Sequence, residues 1–317
     1  MSRIYEALQK AESERKLERH EREPLTPVNE VEQMPATAAL ADYETPLPFA
    51  EERTVEGIDD AGAPLSMGGG LNLSSIPRLP WNLAAARLPA LLERGPAIEQ
   101  FRSLRSRIYE ARDIRPIKSI LVTSGLPQEG KSFISSNLAL SLARHKNSKV
   151  LLIDGDMRRY TVHELLGTES DPGLADYLAG KATAEEIMQR AEEPDDPNAA
   201  GRAVLQNLNF IPGGNGGDKA ADLSGSARFG ELLRTVAPYF DWIIIDSSPV
   251  LPVSDAVNLA RSCDGVLLVA RSGITKYPVA QRAASELRAS NILGFVLNAV
   301  HEAPQVGNYY GYNASKE

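Results

Sequence analysis

Six short aliphatic runs punctuate residues 119–298: Ser119–Ser124, Lys149–Asp154, Leu208–Pro212, Trp242–Asp246, Gly265–Ala270 and Ile292–Asn298. Most are continuously apolar rather than alternating, which is the pattern of strands covered on both faces. Stretches with helical spacing separate most of them: Ser132–His145, Ala182–Arg190, Ala227–Ala237 and Val279–Ser290. A further helix is predicted over Pro96–Arg112, opening on a proline whose missing N–H costs little there. Such alternation implies an α/β fold, a doubly wound, mostly parallel sheet with helices on both faces. The spatial order of the strands stays open.

The rest of the chain has a different character. Its 317 residues suffice for one large domain or two ordinary ones, at roughly 100–200 residues each. The formal charge of -8 argues against a general nucleic-acid binder, whose phosphate contacts need clustered Lys and Arg. Most of that charge is local: residues 1–95 carry 10 basic and 16 acidic side chains, and residues 96–317 carry 24 and 26. Residues 23–95, rich in Pro, Ala, Glu and Gly without sustained periodicity, read as a mostly disordered linker. Within residues 1–22, Ile4, Leu8 and Ala11 fall at helical spacing with Tyr5 alongside, an amphipathic docking helix or a helix without a partner. One cysteine, Cys263, excludes an internal disulfide framework and suits a reducing compartment. No apolar run approaches the ~18 residues of a membrane span, and the opening lacks a signal peptide's hydrophobic core. A cytoplasmic chain is expected, with residues 96–317 as its folded domain.

The strongest chemical signal is Gly125-Leu-Pro-Gln-Glu-Gly-Lys-Ser132, which fits G-x-x-x-x-G-K-[ST] between an apolar run and a predicted helix. This is the sequence of a P-loop, whose backbone N–H groups face phosphates at the positive end of a helix. Lys131 should reach the β- and γ-phosphates of a nucleotide, and the Ser132 hydroxyl should bind Mg²⁺. Gly125, Gln128, Glu129, Gly130 and Phe133 complete the expected nucleotide contacts. Two later runs end in carboxylates: Asp154, followed by Asp156, and Asp246. In an open parallel sheet ligands sit outside the carboxyl ends of strands, so these acids can converge on the loop and hold the metal, directly or through water.

With those motifs in place, residues 99–312 resemble the bacterial tyrosine autokinases of exopolysaccharide and capsule synthesis. TSGLPQEGKS matches their Walker A loop, LLIDGDMRR their second A′ motif, and IIIDSSPVLPVSDA their Walker B region. Glu99, Arg102 and Arg105 match the family's E-x-x-R-x-x-R oligomerisation motif, and Tyr309, Tyr310 and Tyr312 stand where the family carries its autophosphorylation cluster. The opening MSRIYEAL resembles members encoded with exosortase-linked systems.

The resemblance implies a P-loop NTPase fold and phosphoryl transfer from ATP·Mg²⁺, in trans, to tail tyrosines of a neighbour in a ring-like homo-oligomer. It makes Asp154 the first candidate for the base. Asp156 would support magnesium or substrate, and Ser132, Asp154 and Asp246 would hold the metal. A phenol with a pKa of about 10 needs such a base. Asn298 could touch adenine or serve as a strand-end turn residue. Relatives often carry a fused transmembrane co-polymerase region. Its absence here implies an inner-membrane polysaccharide co-polymerase as a separate activator and peripheral recruitment to the membrane, with a cognate tyrosine phosphatase. The alternatives are a ParA/MinD-like regulatory ATPase, whose signature lysine is replaced by Leu126, and a nucleotide-binding scaffold without kinase activity.

Overall fold

A computed structural model of the chain describes residues 71–145, 147–193 and 202–300. Among these residues the strands β1 (Arg78–Leu79), β2 (Ser119–Ser124), β3 (Val150–Asp154), β4 (Gln189–Ala191), β5 (Leu208–Ile211), β6 (Trp242–Asp246), β7 (Gly265–Arg271) and β8 (Ile292–Asn298) form one sheet. Its order is β1-β4-β5-β3-β6-β2-β7-β8, and every neighbouring pair is parallel except β4 with β5. The helices are α1 (Pro96–Ile114), α2 (Lys131–Ala143), α3 (Val162–Leu166), α4 (Leu174–Leu178), α5 (Arg202–Leu205), α6 (Ala220–Ser224), α7 (Ala227–Val236), α8 (Asp255–Ala260) and α9 (Tyr277–Glu286).

Side chains of a strand alternate between the faces of a sheet, and here both faces are covered. Leu121, Leu151, Ile153, Ile243 and Ile245 enter one core with α4 and α6 to α9. Ile120, Val122, Val150, Leu152 and Ile244 enter the opposite core with α1 to α3. This is why the runs are apolar throughout rather than every second residue. The register sets Asp154 directly opposite Asp246, while Val122, two residues before the end of β2, pairs with Asp246. The loops after β2, β3 and β6 therefore open on one crevice.

The structure corrects two expectations. The linker boundary at residue 95 is too late, because residues from Leu71 onward belong to the fold. Leu71 and Ile76 are buried in one core, and Trp81, Leu88 and Ala90 in the other. Trp81 stands edge-on to Phe210 at 6.3 Å, and the Asn82 and Ala84 N–H groups donate to Gly167 and Leu165. The stretch consists of three short 3-10 turns and a two-residue strand, with Leu71, Ile76, Trp81 and Leu88 outside them, so its apolar side chains follow neither helical nor strand periodicity. The helix expected over Ala182–Arg190 is instead a turn followed by β4. The Thr183 N–H and hydroxyl both donate to Glu186, at 2.8 and 3.0 Å, which closes one turn and does not propagate. Residues 1–22, most of the expected linker and the tail with Tyr309, Tyr310 and Tyr312 lie outside the described residues. Among the described residues no helix is long and apolar enough to cross a membrane.

Candidate active site

The loop after β2 turns into α2 through Gly130, which adopts φ +96° and sits where a Cβ would come 2.0 Å from Asn298 Nδ2. Only glycine fits there without moving Asn298. Lys131 is the first residue of α2, so its side chain and Ser132 stand at the helix's positive end. The loop after β3 passes close over β6: the Gly155 N–H donates to the Asp246 carbonyl at 2.9 Å, and a Cβ on Gly155 would lie 2.7 Å from that oxygen.

Three carboxylates and one ammonium meet in this crevice. Lys131 Nζ lies 3.1 Å from Asp156 Oδ2, and the other oxygen of Asp156 accepts from the Arg159 N–H. Asp154 is fully buried, and its two oxygens accept from the Asp156 and Val162 N–H groups, each at 3.1 Å. Asp246 is equally buried, yet neither of its oxygens has a hydrogen-bond partner among the described residues.

The titration behaviour follows from that inventory. Burial, then the Asp246 charge, pushes the Asp154 carboxyl well above the usual carboxylate range, with the Val162 N–H opposing. Burial also raises Asp246, against the pull of Lys131 and the nearby Ser132 hydroxyl. Burial disfavours the Lys131 ammonium, but Asp246 first, then Asp156 and Asp154, outweigh it and hold its pKa above that of an ordinary lysine. The crevice is short of positive charge.

A magnesium ion fits this donor set. Its ligands are hard oxygens, and Asp246 offers two buried, unpartnered ones beside the Ser132 hydroxyl. Among the described residues no cluster of three or more His, Cys, Asp or Glu forms a complete metal cage. Mg²⁺ commonly needs none, taking one or two carboxylates and completing its shell with phosphate and water.

Next to the loop, a groove of about 570 Å³ runs between α1 and β8. Phe133 and Asn298 line it with Gln100, Leu104 and Leu297, and Phe133 packs on Phe101 at 5.8 Å. The expected ATP contacts are thus brought together, with two differences of role. The Glu129 side chain turns inward, where it accepts from the Leu126 N–H at 2.8 Å. Asn298 donates to the Glu129 carbonyl at 3.0 Å and accepts from the Ala299 N–H. Of the oligomerisation residues, Glu99 and Arg102 pair with each other on the exposed side of α1, and Arg105 donates to the Ser141 carbonyl.

The chain is similar to known proteins in both sequence and fold. A family model described as an AAA domain matches residues 128–277. Tyrosine-protein kinase YwqD of Bacillus subtilis is 33% identical over 221 residues, which cover 69% of this chain and 87% of that protein. The chain belongs to the bacterial tyrosine-protein kinases. Tyrosine-protein kinase wzc of Salmonella typhimurium is 35% identical over 219 residues, and there the match spans only 28% of the relative's length. Among solved structures, the kinase domain of Escherichia coli tyrosine kinase ETK superimposes with a TM-score of 0.59 at 31% identity, covering 68% of this chain and 80% of that one. The BceF tyrosine kinase domain gives 0.56 at 31% identity, covering 68% and 84%. The family's P-loop kinase fold is therefore present.

Sequence reasoning passed over one ion pair in the motif region. Arg158 Nε donates to Asp255 Oδ2 at 2.7 Å, tying the loop after β3 to the start of α8. Arg158 stood in the quoted DMRR stretch, but its partner is 97 residues away, and no local pattern reports such a distance.

Proposed function

We propose that the chain is an ATP-dependent protein-tyrosine autokinase that phosphorylates Tyr309, Tyr310 and Tyr312 of a neighbouring copy and so regulates exopolysaccharide polymerisation or export. The observation that carries this reading is the convergence of Lys131, Asp154, Asp156 and Asp246 on one phosphate loop, in a chain whose relatives are tyrosine-protein kinases.

The loop's N–H groups and the α2 terminus bind the phosphates. Lys131, paired with Asp156 in the free protein, exchanges that partner for phosphate oxygens and stabilises charge on the transferring group. Ser132 and Asp246 would hold Mg²⁺, which supplies neutralisation of the phosphate charge when bound. Asp154 accepts the phenolic proton: its raised pKa makes it a better match to tyrosine than an ordinary carboxylate. Each Asp154 oxygen keeps one lone pair beyond its backbone hydrogen bond. The α1–β8 groove, with Phe133 and Asn298, takes the nucleoside.

Glu99, Arg102 and Arg105 on α1 contribute to the contact between copies in a ring, exchanging their present intrachain partners. Activation comes from an inner-membrane co-polymerase, and a cognate phosphatase reverses the modification.

The test is to incubate the purified protein with ATP and Mg²⁺, with and without the membrane partner, and map phosphate by mass spectrometry. Phosphotyrosine at residues 309, 310 or 312 that vanishes in Lys131→Ala is expected. Phosphate release with unmodified tyrosines would overturn the kinase reading in favour of an ATPase.

A further inference from the structure

A carboxylate buried beneath a loop that cradles anions needs an explanation. Glu129 is only 2% exposed. Facing inward, it takes the Leu126 N–H out of the cradle at 2.8 Å with one oxygen. Its other oxygen accepts from the Thr275 hydroxyl. Thr275 in turn accepts from the Arg271 N–H at 2.8 Å, so its proton is left to point at Glu129.

The same stretch of loop is held from outside at two more points. Arg271 Nη1 donates to the Gln128 carbonyl at 3.1 Å, and Asn298 Nδ2 to the Glu129 carbonyl at 3.0 Å. Between these anchors Gln128 adopts φ +64°, a left-handed conformation that a non-glycine residue keeps only where its surroundings impose it. The chemistry-bearing residues 130–132 follow at once.

We propose that Glu129 and Thr275 are positioning residues for nucleotide binding: the Leu126–Glu129–Thr275 chain holds the phosphate loop in its strained, phosphate-ready shape before the nucleotide arrives. Arg271 and Asn298 are the outer anchors of the same brace, on the ends of β7 and β8. The carboxyl group is tolerated because each of its oxygens has a donor from inside, leaving the outer face of the loop to the incoming anion. The proposal rests on the nucleotide-binding part of the reading above and is independent of what the phosphoryl group is transferred to.

Titration of a fluorescent ATP analogue in the presence of Mg²⁺ tests it, because affinity is read whether or not tyrosine is modified. Thr275→Val should weaken binding about tenfold, the size of a hydrogen bond to a charged group, while Thr275→Ser retains wild-type affinity. Glu129→Ala should weaken it at least as much, and Glu129→Gln less, because the amide keeps one acceptor. The double variant Glu129→Ala/Thr275→Val should be no weaker than Glu129→Ala alone, since both remove one chain of contacts. At saturating ATP the turnover of Thr275→Val should equal that of the wild type, with only KM raised. Unchanged affinity in Thr275→Val, strictly additive losses, or an equal loss in Thr275→Ser would each overturn the brace. A lowered melting temperature with unchanged affinity would reduce Thr275 to a packing residue and overturn it too.

Discussion

Asp246→Asn should make the nucleotide-free protein more stable while removing its response to Mg²⁺ and ATP. Asp246 is fully buried, has no hydrogen-bond partner among the described residues, and has its pKa raised by burial despite Lys131 nearby. A carboxyl whose folded pKa lies above its unfolded value, near 3.9, favours the fold most when protonated. That contribution is present below the unfolded pKa and is lost as pH rises through the folded one. Once ionised, Asp246 is therefore a net cost. Asparagine keeps the shape and removes the charge. It also removes an attraction to Lys131, but Lys131 retains Asp156 at 3.1 Å. The gain should be about 1–2 kcal/mol, the scale of a buried group left unpaired, or roughly 2–8 °C in melting temperature for a domain of this size.

Calorimetry in EDTA between pH 5 and 8 measures this directly. The advantage of the variant should be largest at the alkaline end and shrink on acidification, as the wild-type carboxyl takes up its proton. On adding Mg²⁺ and ATP the wild type should rise and the variant should not. A variant that melts at or below the wild type in EDTA, or whose advantage grows as pH falls, would refute the reasoning that the site is short of positive charge.

Four further outcomes are expected. Gly130→Ala places a Cβ against Asn298 Nδ2 at a residue with φ +96°, so nucleotide affinity should fall at least tenfold by fluorescence titration, with a change of no more than about 1–2 kcal/mol in folding stability. Asp255→Asn breaks the pair with Arg158, whose side chain is 32% exposed. Discounted for that exposure, the loss should be about 1–2 kcal/mol in urea unfolding. Trp81→Ala removes a ring packed against Phe210 and should cost about 3 kcal/mol by the same assay. A chain begun at residue 96, which also lacks Leu71, Ile76 and Leu88, should fail to give a cooperative transition.

The sheet was legible because its strands are short, apolar on both faces and bounded by helical spacing; six of the strands and the long helices fall within a few residues of their expected ends. What escaped has a physical pattern. β1 and β4 are two and three residues long, too short for any periodicity. Leu71 to Leu92 is held by 3-10 turns and single buried side chains, so its composition resembles a linker while its burial is that of a core. Ala182–Arg190 has helix-forming residues, but Thr183 and Glu186 close a single turn, and Ile187 and Met188 are drawn into the core.

The site divides along a different line. Residues 125–132 lie together in the chain, and the two strand-end acids announce themselves by position, so their convergence could be expected. Their division of labour could not, because it depends on which lone pairs are already in use. Asp154 spends one lone pair of each oxygen on backbone N–H groups, Asp156 is occupied by Lys131 and Arg159, and Asp246 spends none. In the proposed reaction three acids with the same chemistry would thereby serve as an oriented proton acceptor, a partner for the lysine and an open metal ligand. The brace beneath the loop is harder still to foresee. Glu129 reads as one more residue of a phosphate motif, but Thr275 lies 146 residues beyond it and Asn298 lies 169 beyond. Only the order β2-β7-β8 places the ends of those strands side by side. A local motif states what the loop can hold, and the sheet order decides which distant side chains keep it in the shape to do so.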